Sequence, residues 1–476
     1  MRNYSQCRDT SLESCPGAAM IVMKFGGTSV EDASAIDRAA AIVLERRPQK
    51  PVVVVSAMAK VTDQLLAAAT ASGSGQRDKA LEIARNLRER HYNSARELLG
   101  EAAFAKFQPE LELQFNSLDE LLRGIAAVGE LTPRTSDHVA SYGERISSRI
   151  VAAAFGARQL PAVHVDSRTC IITDANHTKA APLFPQIESR LKEKVAPLIA
   201  QGQLPVMGGF IGSTLDGVTT TLGRGGSDFT AAIVGGGLGA EAIEIWTDVN
   251  GMMTTDPRIC KEARRLRSIS FDEAAELAYF GAKVLHPATL LPAIQKDIPV
   301  LVLNSRNPAN EGTRITSRGQ KCRNPIKAIA AKRRITVVDI VSTRMLMTHG
   351  FLKSIFEVFD RHRCPVDMVS TSEVSVSLTV DSNEAIPAVA AELDQLADVK
   401  YEGRKAIVCL VGEDIRSTPG IAAKVFHAVR NINVRMISQG ASEINISFVI
   451  DEEDVEEAVR ALHTAFFSEL DPEVFD

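Results

Sequence analysis

The sequence predicts an α/β protein in which a mostly parallel central sheet, with helices on both faces, is followed by two βαββαβ units. Three observations carry this. Short β-branched runs alternate with amphipathic segments between residues 21 and 315, a polar stretch interrupts them at 316–325, and one order of strands and helices then occurs twice.

In the first stretch, the apolar runs at 21–25, 51–56, 161–165, 204–210, 242–247 and 299–303 have the length and Val/Ile content of buried strands. Between them, 33–45, 185–200, 228–235 and 272–280 space their apolar residues at helical period. Residues 77–155 break the rhythm with long helical patterns and read as an excursion covering the active site. Residues 1–20 mix charges with Ser and Thr around no apolar core, which suits a disordered tail rather than a signal peptide or membrane anchor.

Arg318, Gly319, Lys321, Arg323 and Pro325 mark a linker. The first unit after it reads strand 335–342, helix 350–363, strands 366–370 and 374–380, helix 383–396 and strand 399–401. The second reads strand 406–411, helix 420–431, strands 434–438 and 444–450 and helix 453–466, and then only a polar tail where its last strand should be. A spare apolar strand at 326–331 precedes the first unit. The economical reading is that 326–332 completes the second unit, 403–470, with the first, 333–402, inserted within it.

Lys+Arg total 54 against Asp+Glu 59, and 45% of residues are hydrophobic. No charge imbalance points to nucleic acid, and no apolar run points to a membrane, so a cytoplasmic enzyme is expected. The seven cysteines are scattered, odd in number and without a C-x-x-C pair, which suits reduced thiols. The nine histidines show no ligand spacing, so no protein-bound metal is expected.

Two blocks carry the chemistry. Lys-Phe-Gly-Gly-Thr-Ser-Val at 24–30 and Thr-Thr-Thr-Leu-Gly-Arg-Gly-Gly-Ser-Asp at 219–228 each set glycines beside hydroxyls and a fixed cation after an apolar run. Glycine lets successive backbone N–H groups approach phosphate oxygens, and Lys24 or Arg224 supplies the charge. One such block alone is often a plain strand-to-helix turn; two, each where a strand feeds a helix, point to phosphate binding. Gly235-Gly236-Gly237-Leu238-Gly239-Ala240 resembles a dinucleotide fingerprint but follows a helix and precedes a strand, the reverse of the required context.

Further motifs are Gly143-Glu144, Gly-Phe-Ile-Gly at 209–212, Trp-Thr-Asp-Val at 246–249, Thr-Thr-Asp-Pro-Arg at 254–258 and Phe-Gly-Ala-Lys-Val-Leu-His-Pro at 280–287. With the two glycine blocks, they resemble the aspartate kinases (aspartokinases) of the amino-acid-kinase superfamily, followed by tandem ferredoxin-like ACT modules. The resemblance spans 21–466 and, through Thr-Ser-Glu-Val-Ser-Val at 371–376 after Val366-Asp367, is strongest to the single-polypeptide, lysine-sensitive branch. It implies an amino-acid-kinase fold over 21–315 and transfer of the ATP γ-phosphoryl group to L-aspartate with Mg2+, opening lysine, threonine and methionine synthesis.

Carried onto matching positions, the resemblance gives Lys24 the transferring phosphate, with Gly26 and Gly27 close to it, and lets Asp228 organise that lysine and the metal. Glu144 would hold the substrate ammonium and Arg224 a substrate carboxylate, with Ser56, Thr62, Phe210 and Ser227 lining the pocket. Glu144 with Arg149 could otherwise be a surface pair on one helical face. Thr247, Asp248, Arg258 and Lys283 would form the ATP subsite, where Met253 replaces the aromatic residue common in relatives. Met345, Thr348, Gly350, Phe351, Leu352, Val366, Asp367, Thr371, Ser372 and Glu373 would form a lysine site, in which Pro365 and Thr348 stand where such relatives commonly carry serine. ACT modules imply a homo-oligomer, dimer or tetramer.

The chemistry is coherent without the resemblance. A carboxylate acceptor is ionised at neutral pH and needs no general base, so the site must position reactants and neutralise charge on the moving phosphoryl group. Two other readings stay open: another amino-acid kinase, for glutamate or acetylglutamate, and a catalytically inactive amino-acid sensor. The chain ends just after the second unit, so a fused homoserine dehydrogenase is not expected.

Overall fold

The computed structural model describes residues 20–281, 287–320, 322, 324–342, 349–469 and 471–476. The tail reading for 1–20 falls outside them except at Met20. The catalytic part comprises β1 (Ile21–Phe25), α1 (Ala33–Arg46), β2 (Val52–Val55), α2 (Val61–Gly73), α3 (Arg77–Val128), α4 (Pro133–Ala157), β3 (Ala162–Val165), α5 (Phe184–Lys194), α6 (Ala196–Ala200) and β4 (Leu204–Gly208). It continues with β5 (Ile211–Ser213), β6 (Thr219–Thr221), α7 (Gly226–Leu238), β7 (Ala242–Thr247), β8 (Ser268–Ser270), α8 (Phe271–Tyr279), α9 (Leu291–Gln295), β9 (Val300–Asn304) and β10 (Thr313–Thr316).

Eight strands form one sheet in the order β3-β4-β2-β1-β7-β9-β10-β8, parallel except for β10 against β9. β1 and β2 are buried throughout, as apolar strands covered on both faces must be. β1 lies between β2 and β7, so the chain order reverses at the crevice beside β1, where open α/β sheets bind ligands at their carboxyl ends.

The long helical stretch is not an excursion from this core. α3 bends at Gly100, whose φ of 73° leaves the helical region, and it packs over α2 and α4. α4 lies against the sheet with sixteen buried residues, Glu144 among them. Its small residues allow that approach: a Cβ on Gly143 would come within 2.7 Å of Ala57 Cβ.

The regulatory part comprises β11 (Ile326–Val341), α10 (Phe351–Arg361), β12 (Val366–Thr371), β13 (Ser375–Asp381), α11 (Ile386–Leu393), β14 (Asp398–Gly412), α12 (Ile421–Ala428), β15 (Met436–Gln439), β16 (Asn445–Asp451) and α13 (Val455–Phe467). The sequence divides 326–342 and 399–411 into two strands each. In the structure each is one strand, and both pass through a single six-stranded antiparallel sheet, β12-β13-β11-β14-β16-β15. The first part of β11 pairs with the second part of β14, and the remaining halves pair with each other. The apolar pattern stops at Lys332–Arg334 because register shifts put a bulge there, with Arg334 at φ 61° and Arg404 at φ 58°.

The two units differ in what they pack against. Residues of the first, including Val338, Ile355, Phe359 and Leu378, form a separate core. Those of the second, including Ile329, Cys409, Phe448 and Leu462, share one core with Leu266, Phe271 and Leu277 of the catalytic part. The last residues are not merely a polar tail: Val474 and Phe475 are buried, and Asp476 pairs with Arg267 at 2.9 Å.

Candidate active site

The carboxyl ends of β1, β2 and β4 and the start of α7 enclose a cavity of about 580 Å³. Lys24, Gly27, Ser56, Thr62, Glu144, Phe210, Arg224, Ser227 and Asp228 line it, so every catalytic and amino-acid-binding candidate from the sequence converges there. Lys24 Nζ lies 2.6 Å from Asp228 Oδ1, both side chains being nearly buried. The contact is one of charge rather than an aligned hydrogen bond, since Oδ1 has no hydrogen-bond partner. Asp228 stands in the first turn of α7, whose N-cap, Gly225 at φ 72°, has no side-chain cap. Uncapped N–H groups and the positive end of the helix dipole therefore face the same space as Lys24.

Glu144 is fully buried and no surface residue; Arg149 pairs with Glu110 instead. Its Oε1 accepts a 3.1 Å hydrogen bond from Ala57 N, while Oε2 has no partner among the described residues. Burial pushes its pKa up to about 8, against smaller lowering effects of hydrogen bonding and Lys24. A buried acceptor with a free oxygen is costly unless a cation arrives. Arg224 is exposed at the cavity rim and makes no ion pair among the described residues. Phe210 follows the end of β4 at φ 63°, a conformation that costs a bulky residue energy and is typical of ligand sites. Its N–H donates to Thr230 Oγ1 at 3.0 Å.

Three charged pocket residues went unnoticed in the sequence, Asp63 among them. Asp137 is seven positions before Glu144, on the same face of α4, a spacing that could have revealed it. Lys60, at φ 66° before α2, adds a further cation and carried no local signal.

Thr247, Asp248, Met253 and Arg258 line a second cavity, of about 860 Å³, next along the sheet. Gly26, whose N–H donates to Trp246 O at 2.9 Å, joins the two: β1 ends at the first cavity and β7 at the second. Arg258 is 86% exposed and forms a 2.6 Å ion pair with Asp256. Lys283 lies outside the described residues, but Gly281, two positions before it, is described. Gly281, at φ 118°, sits so close to the regulatory strand that a Cβ would come within 2.6 Å of Ala331 O. Lys332, Arg333 and Arg334 of β11 also line this cavity.

Among the described residues, the candidate effector residues fall at the start of α10 and toward the two ends of β12. Met345 and Thr348 lie outside the described residues. Gly350, at φ 85°, starts α10 without a side-chain cap, and Phe351 and Leu352 form its first turn. Thr371, Ser372 and Glu373 are exposed near the end of β12. Val366 and Asp367 begin that strand, about 13 Å away from Thr371 at strand rise. Asp367 is already engaged: it accepts from Lys332 Nζ at 2.8 and 2.9 Å and from Tyr279 Oη at 2.6 Å. Burial lowers the Lys332 pKa, but its hydrogen bonds to Asp367 and Asp381 outweigh this and raise it; burial and Asp367 together push the Tyr279 hydroxyl up.

Comparison with known proteins follows this division. The amino acid kinase family matches residues 19–304, and the ACT domain matches 338–392 and 408–466. The chain is 38% identical to lysine-sensitive aspartokinase 3 of Escherichia coli, over 94% of this chain and 99% of that one. The chain belongs to the aspartokinases of the amino acid kinase family. Among other aspartokinases, the chloroplastic aspartokinase 2 of Arabidopsis thaliana is 40% identical over 95% of this chain and 85% of its own. The crystal structure of E. coli aspartokinase III in complex with aspartate and ADP matches with a TM-score of 0.82 at 36% identity, covering 94% of this chain and all of that one. The same enzyme in complex with lysine and aspartate matches with a TM-score of 0.80, covering 94% and 99%.

Proposed function

We propose that this aspartokinase converts ATP and L-aspartate to ADP and 4-phospho-L-aspartate, in the two adjoining cavities beside β1. The observation that carries this is the buried Glu144, with one carboxylate oxygen that has no partner among the described residues, in the same cavity as Arg224, which makes no ion pair among them, and the Lys24–Asp228 pair. Glu144 takes the ammonium of a zwitterion and Arg224 its α-carboxylate, which presents the side-chain carboxylate to Lys24. One of its oxygens attacks the γ-phosphorus in line, and the bond to the leaving ADP oxygen breaks. Lys24 and the N–H groups at the start of α7 neutralise charge on the transferring group, while Asp228 holds Lys24 in place.

Thr247, Asp248 and Arg258, with Lys283, take the nucleotide. Mg2+ fits this arrangement. It needs only one or two carboxylates beside substrate phosphates, Asp228 stands next to Lys24, and among the described residues no group of three acidic, His or Cys side chains forms a dedicated cage. When bound, it supplies neutralisation of phosphate charge. Trapping the acyl phosphate with hydroxylamine tests the reading: hydroxamate should form with aspartate, and not with glutamate or acetylglutamate. Turnover only with those substrates would indicate another amino-acid kinase, and none with any would leave a sensor.

The effector reading is lysine, bound through Gly350–Leu352, Thr371–Glu373 and Asp367. Because these groups lie apart within one chain, the site would be completed by a second copy across the exposed edge strand β12, making the enzyme a homo-oligomer. Lys332 then competes with the effector, since its ammonium occupies the carboxylate that a lysine ligand would use. Asp367→Ala should retain turnover and raise the lysine concentration for half inhibition roughly tenfold or more. Lys332→Met, which removes the competing ammonium from Asp367 and leaves the Tyr279 hydroxyl, should lower it. Lysine titrations of both variants beside wild type check this, and unchanged curves in both would remove Asp367 from the site.

A further inference from the structure

We propose that Asp137 is a positioning residue that sets the span between the two charged poles of the amino-acid pocket, Glu144 and Arg224. The inference rests on the assignment of those poles above. Asp137 is buried, its side chain only 2% exposed, and both of its oxygens are used within the protein. Thr221 Oγ1 donates to Oδ1 at 2.5 Å, Thr178 N donates to Oδ1 and Oδ2 at 3.1 and 3.0 Å, and His177 Nδ1 donates to Oδ2 at 2.8 Å. With its acceptors occupied in this way, Asp137 acts on the pocket through the groups it holds.

Those groups belong to three different segments. Asp137 is on α4, two turns before Glu144. Thr221 ends β6, three residues before Arg224. Thr178 lies in the connection between β3 and α5 and is held at φ 70°, an unfavourable conformation for a β-branched residue. The double acceptance of its N–H by Asp137 supports that conformation.

The Thr178 carbonyl in turn bears on the glycine block. A Cβ on Gly223 would meet Thr178 O at 3.2 Å, and Ala180 N donates to Thr221 O at 3.0 Å. The loop carrying Arg224 therefore rests on the 176–180 turn, that turn hangs on Asp137, and Asp137 shares a rigid helix with Glu144. One carboxylate thus ties the basic pole to the acidic pole. The ATP residues Thr247, Asp248 and Arg258 are not part of this brace, so its loss is felt by one substrate only.

The test is steady-state kinetics of Asp137→Asn, Thr221→Val and Thr221→Ser, varying aspartate and ATP separately, with thermal melts of each. Asn replaces one acceptor by a donor, Val removes only the Thr221 hydroxyl, and Ser restores it. Asp137→Asn and Thr221→Val should raise KM for aspartate roughly tenfold or more while kcat and KM for ATP stay within about twofold, as loss of uniform binding requires, and Thr221→Ser should behave like wild type. If Asp137→Asn does not fold, the Val and Ser pair at 221 decides. Equal KM values for that pair, or parallel rises in both substrates' KM, would overturn the brace while leaving the substrate assignment standing. Wild-type enzyme that forms no acyl phosphate with aspartate would overturn both.

Discussion

Lys24→Ala should lower kcat by about 10²–10³-fold or more, because it removes a cation whose interaction is strongest when charge develops on the transferring phosphoryl group. Asp228→Ala should cost a similar amount for a different reason. Without Asp228, Lys24 keeps its charge in a nearly buried position but loses the partner 2.6 Å away that aims it. The two residues act as a unit, so the double variant should be little worse than either single one. Asp228→Ala also leaves an uncompensated buried ammonium, so it should melt below Lys24→Ala, whose remaining carboxylate faces the favourable end of α7. Rates of ADP release and thermal melts of the three variants check this. Near-wild-type turnover in either single variant would remove the pair from the reaction.

Glu144→Gln should raise KM for aspartate by about tenfold to a hundredfold, since a charge-assisted contact to the substrate ammonium is lost, with little change in KM for ATP. Arg224→Ala should do the same from the opposite pole. Glu144 also predicts a pH dependence. With its pKa pushed up to about 8, the free enzyme carries it largely protonated at neutral pH, and an arriving ammonium must expel that proton. Aspartate affinity should therefore rise as pH increases toward 8, with proton uptake by buffer on binding, and Glu144→Gln should lack both effects.

Stability runs the other way. A carboxyl whose folded pKa is raised from 4.5 to about 8 contributes fully below the lower value and loses that contribution as pH climbs through the higher one. Glu144→Gln, which cannot ionise, should gain on wild type in melting temperature across that window when aspartate is absent. Calorimetric aspartate titrations in buffers of different ionisation heat, with melts from pH 5 to 9, decide the matter. A pH-independent difference between the two proteins would show that Glu144 is ionised throughout.

The candidate catalytic pocket was legible because its chemistry is local. Lys24 with Gly26-Gly27, and Arg224 with Ser227-Asp228, lie within a few residues of a strand end, where period and glycine content mark the turn without any knowledge of neighbours. Glu144 was legible only as part of a motif; its periodicity alone allowed a surface pair with Arg149, and burial decided against that. Asp137 escaped because its seven-residue spacing from Glu144 marks a shared helix face but no partner, and its partners Thr178 and Thr221 are 41 and 84 residues away.

The sequence by itself determined the alternation of buried strands and amphipathic helices, the duplicated order of the regulatory units and the residues at the two glycine-rich turns, since each follows from periodicity or backbone freedom over short windows. Only the tertiary structure decided that α4 is a layer of the catalytic core, that β11 and β14 run unbroken through both regulatory units, and that Asp367 is held by Lys332 and Tyr279. In the bulge, Lys332–Arg334 read as a break because their side chains leave the apolar pattern while their backbone stays in the sheet. Asp367 read as a free carboxylate because the ammonium and the hydroxyl that engage it come from residues 35 and 88 positions away, and such pairings are set by packing between distant elements, which local pattern does not encode.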